Sequence, residues 1–115
     1  DGYCSKQQTL AVAKSAWKQG LRLMIDFHYS DWWADPGHQV KPKAWNGLTV
    51  EQIASKVEEH TYEVLSDLVK QGTPADLVQV GNEIRTGMIW PEGQLWTKEK
   101  GNSQEAFANL VQFLK

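Results

Sequence analysis

Cysteine is nearly absent from this sequence. Cys4 is the only one among 115 residues, so no disulfide bond can form within the chain. No apolar run approaches the roughly 18 residues of a membrane span, and the opening Asp-Gly-Tyr-Cys has neither the basic start nor the apolar middle of a signal peptide. Lysine and arginine are scattered singly and the net charge is -2, which argues against nucleic acid or an anionic membrane as the main partner.

Apolar residues are plentiful by contrast. They make up 41% of the chain and include six tryptophans, which is enough to build the core of one soluble globular domain. Repeats, linkers and low-complexity segments are missing. We therefore expect the whole sequence to belong to one domain.

Three helices are predicted from their N-terminal caps. Ser5 begins a Ser-x-x-Gln capping box and a helix over about residues 5–19, and Thr49 begins a second box and a long helix that ends before Gly72. Asn102-Ser103-Gln104-Glu105 caps a third helix that is still running at the last residue. The apolar positions expected to face the core are Leu10, Ala13, Ala16 and Trp17, then Ile53, Val57, Val64, Leu65 and Leu68, then Phe107, Leu110, Val111 and Leu114.

Two strands lie between these helices. Residues 21–27 alternate between apolar and other residues, so Asp26 and His28 should share the face opposite the apolar one. Residues 77–81 predict a short buried strand. A strand, a helix and a second strand form a βαβ unit, which implies parallel strands whose carboxyl ends lie at one edge of the sheet.

Two long irregular segments, about residues 29–48 and 84–101, leave those carboxyl ends and hold five of the six tryptophans. We expect the two loops to lie side by side over one mouth. Indole rings pack on the apolar face of a pyranose while Asp, Asn, Gln and His bind its hydroxyls, so the cluster indicates sugar recognition. The alternative is that the tryptophans only anchor the loops.

Glu83 follows the second strand, at the strand end where parallel α/β folds keep their chemistry. A carboxyl group against indole rings would favour its protonated form, which a general acid requires. Asn82 beside it can bind a sugar hydroxyl. The alternative is that Glu83 only forms an ion pair with Arg85 or Arg22.

A metal site is a second interpretation of the first loop. Carboxylate and imidazole ligands suit zinc or a harder divalent ion, and the candidates are Asp26, His28, Asp31, Asp35 and His38. Their spacing matches no compact metal motif, and Asp35-Pro36-Gly37 is equally typical of a turn. We therefore predict no metal and no cofactor.

With these residues in view, the chain resembles the endo-β-1,4-galactanases of glycoside hydrolase family 53. The matching segments are Asp26-Phe27-His28-Tyr29-Ser30-Asp31, Trp33-Ala34-Asp35-Pro36, Gln39, Pro42, Trp45, Val78-Gln79-Val80-Gly81-Asn82-Glu83 and Trp90-Pro91. The likeness extends over nearly all 115 residues.

The resemblance implies an α/β fold, a partial (β/α)8 TIM barrel that runs from its second to its fourth helix and holds strands three and four. It implies that Glu83 is the catalytic acid/base and that Asn82 binds the 2-hydroxyl of the sugar being cleaved. The residues implied to line the groove are His28, Asp31, Trp33, Asp35, Trp45 and Trp90. The implied substrate is β-1,4-galactan or a galacto-oligosaccharide, and we expect a secreted, periplasmic or cell-surface protein whose export signal lies outside these residues.

The chain departs from that family in length. A complete barrel needs about 250 residues or more, and the family's nucleophilic glutamate, on the seventh strand, has no counterpart here. We therefore expect residues 1–115 to be a fragment of one catalytic barrel, inactive alone. The alternatives are a non-catalytic carbohydrate-binding domain and a related barrel enzyme that acts on another β-linked polysaccharide. Product length and oligomeric state stay open.

Overall fold

The computed structural model describes residues 4–99 and 101–115; residues 1–3, where the segment tested for a signal peptide begins, lie outside that description. The elements in chain order are α1 (Lys6–Lys18), β1 (Met24–Phe27), α2 (Val50–Lys70), β2 (Leu77–Val80), β3 (Trp96–Thr97), β4 (Gly101–Asn102) and α3 (Gln104–Phe113). Short 3-10 helices occupy Lys43–Trp45 and Ile84–Thr86. None of the described helices is both long and apolar enough to cross a membrane.

The predicted caps are confirmed at the first two helices, and the third helix is capped by Ser103, within the predicted segment 102–105. The Thr49 hydroxyl accepts a hydrogen bond from the Gln52 N–H while the Gln52 side chain accepts one from the Thr49 N–H, a complete capping box. Ser5 and Ser103 each accept one such bond. The third helix ends at Phe113, so the prediction that it runs to the chain end is wrong.

Strands β1 and β2 pair in parallel, which confirms the βαβ unit. The register joins Met24 to Leu77 and Asp26 to Gln79, so these four side chains share one face. Ile25 and Val78 lie on the other face and pack against the core beneath the helices. The predicted separation of the apolar face from Asp26 is therefore confirmed.

Both strands are less buried than the sequence predicted. The first begins at Met24 rather than residue 21, and Leu77 and Val80 in the second are 58% and 37% exposed. The larger of the two described sheets contains only these two strands, so each strand has a neighbour on one edge alone. The expected fully buried second strand is not observed because no third strand covers that edge among the described residues.

The core lies between the strands and α2, whose Ile53, Val57, Val64 and Leu68 are buried as predicted. Helix α1 contributes only Ala13 as a buried residue, and Trp17 is 46% exposed, so its predicted place in the core is wrong. The helix lies at the margin of the described core, and its end has little surface to pack on. In α3 the buried positions are Ala106, Leu110 and Phe113; among the predicted positions, Phe107, Val111 and Leu114 are exposed.

An aromatic cluster secures the start of the first long loop. Phe27 and Tyr29 stack with ring centroids 5.7 Å apart, and His60 of α2 meets both rings edge-on. The Tyr29 hydroxyl lies 2.7 Å from the Thr61 hydroxyl, and burial raises the pKa of Tyr29 above its ordinary value. The exposed His60 thus covers one edge of this stacked pair.

Candidate active site

Glu83 lies three residues beyond the end of β2, where the chain leaves the sheet. Its backbone is left-handed, with φ 50° and ψ 42°, and it precedes the 3-10 helix Ile84–Thr86. This conformation costs a non-glycine residue roughly 1–2 kcal/mol, and such strain concentrates at functional sites. The Glu83 side chain is exposed and, within residues 4–99 and 101–115, forms no hydrogen bond or ion pair.

The alternative ion pair of Glu83 with Arg85 or Arg22 is not formed among the described residues. Arg22 pairs instead with Asp76, at 3.4 Å between Nε and Oδ1, and no ion pair joins Glu83 to Arg85 in the part of the chain that the structure describes. The expected cover of indole rings over the carboxyl is also missing, because the side chain is open to solvent. Glu83 is therefore a free carboxyl group at the strand end.

Gly81 makes the turn before Glu83 possible. Its φ is 85°, and a Cβ atom there would lie 2.7 Å from Ile84 Cγ2 and 2.9 Å from Met88 Sδ. Only glycine avoids both the unfavourable backbone conformation and these contacts. The Val-Gly-Asn-Glu sequence thus folds into a tight corner that presents Asn82 and Glu83 in succession.

Five residues at the strand ends form a closed circuit of hydrogen bonds. Gln79 Nε2 donates to Asp26 Oδ1 at 2.8 Å and to Asn82 Oδ1 at 3.2 Å. Asn82 Nδ2 donates to the Ala34 carbonyl at 2.7 Å, and the Ala34 N–H donates to His28 Nδ1 at 3.0 Å. His28 Nε2 lies 3.3 Å from Asp26 Oδ2, which closes the circuit. Both strands and the first loop are joined at this point.

The two long loops lie side by side, as predicted. The buried Gln39 donates from its side-chain Nε2 to the Asn82 backbone carbonyl at 2.7 Å. The backbone carbonyl of Gln39 accepts from the Trp90 backbone N–H, also at 2.7 Å. The Thr86 hydroxyl donates to the Pro36 carbonyl at 2.8 Å. Lys41 of the first loop forms an ion pair with Glu92 of the second. These contacts hold both loops over the ends of the strands.

Two exposed indole rings of the first loop lie next to His28 of the hydrogen-bond circuit. Trp32 and Trp33 are 75% and 70% exposed, and Trp33 contacts the His28 ring with centroids 4.7 Å apart. They line a cleft of about 400 Å³ with Ser30, Asp35, His38 and Val40. Two neighbouring exposed indoles in a cleft are typical of a sugar platform.

The other predicted groove residues serve the loops themselves. Asp31 accepts from the Lys43 N–H at 2.8 Å, where a 3-10 helix begins. Asp35 accepts from the Gly37 N–H and from His38 Nδ1, and these two contacts, the first being the larger, lower the pKa of Asp35. The turn interpretation of Asp35-Pro36-Gly37 is confirmed.

Trp45 and Trp90 are only partly exposed. Trp45 packs against the core, and Trp90 pairs with Val40 in a parallel bridge between the loops. The Trp90 indole N–H is buried without a hydrogen-bond partner among the described residues. Trp45 and Trp90 therefore help to anchor the loops, whereas Trp32 and Trp33 are largely exposed. Trp96 lies on the β3–β4 hairpin, which the pattern did not predict.

The carboxylates and histidines of the first loop do not form a metal-binding group among the described residues. Within residues 4–99 and 101–115, no three His, Cys, Asp or Glu side chains come together in a group that could hold a metal ion. Asp26, Asp35 and the two histidines are instead paired with one another or with the backbone.

Gln79 and Gln39 belong to the segments that carry the family resemblance, but the sequence assigned neither of them a role in the site. The register of the strands offered one signal, because Gln79 alternates with Val78 and Val80 and therefore faces the same side as Asp26. No local signal indicates Gln39, whose partner Asn82 is 43 residues away.

Comparison with known proteins gives this corner its context. The sequence profile of Glycosyl hydrolase family 53 matches residues 1–115. The chain belongs to glycosyl hydrolase family 53. An arabinogalactan endo-β-1,4-galactanase of Thermothelomyces thermophilus is 39% identical over 114 residues, which cover 99% of this chain and 31% of that protein. A protein of Niallia circulans named only as uncharacterized, in the bgaB 5′ region, is 45% identical over 97% of the chain and 31% of its own length.

Solved structures agree with the family 53 assignment. A chain from a study of two fungal β-1,4-galactanases superposes with a TM-score of 0.84 at 35% identity, over 99% of this chain and 31% of that one. The chain therefore has the fold of one segment of a family 53 catalytic domain and spans about 31% of the length of these relatives.

Proposed function

We propose that this sequence is the acid/base half of a retaining endo-β-1,4-galactanase. The observation that carries the proposal is Glu83, a free and exposed carboxyl group at the carboxyl end of a parallel strand in a family 53 chain. The strained backbone at Glu83 and the adjacent exposed indoles support it.

The remaining barrel would complete both the fold and the site. We propose that β1 and β2 are the third and fourth strands of an eight-stranded barrel, and that α1, α2 and α3 are its second to fourth helices. The open face of the strand pair supports this, because Met24 and Leu77 expose 51% and 58% of their surface there. Large apolar side chains exposed at the start of both strands are typical of a surface that further protein covers.

The mechanism is a double displacement. Glu83 donates its proton to the glycosidic oxygen as the bond to the anomeric carbon breaks, and a second carboxylate, outside this sequence and about 5 to 5.5 Å away, attacks that carbon to form a glycosyl-enzyme. Glu83 then takes a proton from a water molecule that attacks the same carbon and releases the sugar. Two inversions give net retention.

Binding is assigned to the neighbours of Glu83. The Asn82 amide has one N–H beyond the bond to Ala34, and we propose that it contacts the 2-hydroxyl of the sugar being cleaved. Trp33 on its His28 support stacks on a galactose ring, and Asp31, Asp35, Trp45 and Trp90 complete the groove. The substrate is β-1,4-galactan of the arabinogalactan type, and because such a polymer does not enter cells, the protein acts after secretion or at the cell surface.

The proposal is tested by Glu83→Gln in a polypeptide that carries this sequence at the length of its relatives. Hydrolysis of unactivated galactan should fall by a factor of roughly 10² to 10⁴, the usual contribution of general acid–base catalysis. An activated aryl galactoside, whose leaving group needs no proton, should still form the glycosyl-enzyme, and azide should restore its turnover.

Glu58→Gln is the matched control, because Glu58 is an exposed carboxylate on α2. It should leave both reactions unchanged. Near-normal hydrolysis of galactan by Glu83→Gln would remove Glu83 from the acid/base role. Residues 1–115 expressed alone should release no reducing sugar from galactan, since the nucleophile lies outside them.

The carbohydrate-binding alternative draws support from the two exposed indoles, which would hold a glycan without any chemistry. It requires affinity without turnover in the full-length polypeptide. Release of reducing sugar from galactan separates the two functions, and comparison with other β-linked polysaccharides separates a galactanase from a related barrel enzyme.

A further inference from the structure

His28 has no ring nitrogen left for a ligand. The Ala34 backbone N–H can only donate, so His28 Nδ1, 3.0 Å away, accepts with its lone pair. The ring proton of the neutral imidazole then lies on Nε2 and points to Asp26 Oδ2 at 3.3 Å. The ring face that contacts Trp33 is what His28 offers to the groove.

Gln79 determines the orientation of Asn82 in a similar way. Gln79 Nε2 has two N–H groups, and Asp26 Oδ1 and Asn82 Oδ1 each lie within hydrogen-bonding distance of it. With its oxygen toward Gln79, Asn82 directs Nδ2 to the Ala34 carbonyl. If the amide were flipped, Asn82 Nδ2 would face Gln79 Nε2, a donor against a donor, and Asn82 Oδ1 would face the Ala34 carbonyl oxygen, an acceptor against an acceptor.

We propose that Gln79 and Asp26 are positioning residues, which set the amide orientation of Asn82 and the tautomer of His28. This inference rests on the proposed function for its catalytic consequence, since Asn82 adjoins Glu83. The closed circuit leaves one N–H of Asn82 unpaired and makes it the donor available to a sugar hydroxyl.

Stability alone gives little reason for this circuit. The side chain of Asp26 is 33% exposed and that of His28 is 21% exposed, so water can reach part of the network. Hydrogen bonds that water can replace contribute little net stability, and ordering a glutamine side chain costs conformational entropy. What the circuit does provide is one fixed orientation for the Asn82 amide and the His28 ring at the strand end.

The first experiment is ¹⁵N NMR of the histidine ring nitrogens in the full-length polypeptide, with His28 assigned by its loss in His28→Gln. Near pH 7, His28 should show a protonated Nε2 and an unprotonated Nδ1. Asp26→Asn should shift the Nε2 signal or change the tautomer. A His28 with its proton on Nδ1, or with both nitrogens protonated near pH 7, would overturn the proposal.

The second experiment is kinetic and uses Gln79→Met, which keeps the side-chain length and removes both donors. Loss of Asn82 orientation should lower kcat on galactan by roughly tenfold to a hundredfold, as misplacement of a transition-state contact does, while KM changes less than about threefold. Unchanged kcat, with circular dichroism showing a folded protein, would overturn the proposal. If Gln79→Met does not fold, Gln79→Leu, which also lacks both donors, provides the same measurement.

Gln71→Met is the matched control. Gln71 Nε2 also makes two hydrogen bonds, to the Leu10 carbonyl at 3.0 Å and to the Thr73 hydroxyl at 2.6 Å, at the end of α2. This variant should lower stability while leaving kcat and the His28 signals unchanged. An equal loss of kcat in both variants would show a merely structural role for Gln79. Full activity of Glu83→Gln would overturn the proposed function and leave the NMR result intact.

Discussion

Gln39 donates a hydrogen bond of 2.7 Å from its side-chain amide to the backbone carbonyl of Asn82, and it does so while only 3% exposed. This bond joins the first long loop to the residue before Glu83. The position of the candidate acid/base therefore depends on a residue in a different loop.

Replacing Gln39 should weaken both the fold and the site. Gln39→Met leaves the Asn82 carbonyl without its donor, and an unsatisfied buried polar group costs about 1–3 kcal/mol of unfolding free energy. Urea unfolding measures the loss. Gln7→Met, on the exposed surface of α1, should change stability by less than about 0.5 kcal/mol; equal effects of the two variants would contradict the role assigned to Gln39.

Gly81 and Gly72 allow a test of crowding at nearly equal backbone angles. Their φ values are 85° and 83°, but a Cβ on Gly72 meets nothing within 4 Å, whereas one on Gly81 collides with Ile84 and Met88. Gly72→Ala should cost about 1 kcal/mol from conformation alone, and Gly81→Ala a further 1–3 kcal/mol or so from overpacking. Thermal unfolding should rank them in that order, and the reverse order would show that the corner is not tightly packed.

The ion pair between Lys41 and Glu92 should matter more than an exposed one. Their side chains are only 11% and 21% exposed, so Lys41→Met leaves a largely buried carboxylate without a partner at a cost of about 3 kcal/mol. Lys41→Met with Glu92→Leu should recover most of that loss. The exposed pair of Lys56 and Glu59 is the comparison, and Lys56→Met should cost less than about 1 kcal/mol in urea unfolding.

Stability should fall in acid partly through Asp76. The backbone N–H of Leu23, and after it Arg22, lower the pKa of Asp76 in the folded protein. A carboxyl group with a lowered folded pKa stabilises the protein above its unfolded pKa of about 3.9, and that contribution is lost as the pH falls through the folded value.

Asp76→Asn should therefore melt below the unmodified protein at pH 7, and the gap should close below about pH 4. A constant difference in melting temperature from pH 7 to pH 3 would exclude this linkage for Asp76.

Local signals were sufficient for the helices and the strand pair. Ser5, Thr49 and Ser103 each cap a helix by accepting from the N–H of the residue three positions later, so the signal for each cap lies within one turn of sequence. The alternation around Asp26 likewise predicted which side chains share a face. Burial was harder to predict: Trp17 and Phe107 fit the apolar stripes of their helices, yet they remain 46% and 56% exposed.

The sequence by itself determined the βαβ order and the place of Glu83 after a parallel strand, because capping, alternation and turn formation act between residues close in the chain. Only the tertiary structure decided that Glu83 has no ion-pair partner among the described residues and that Asn82 bonds Ala34, 48 residues away. Hydrogen bonds of that kind depend on how two loops meet over the sheet. No spacing along the chain encodes that meeting.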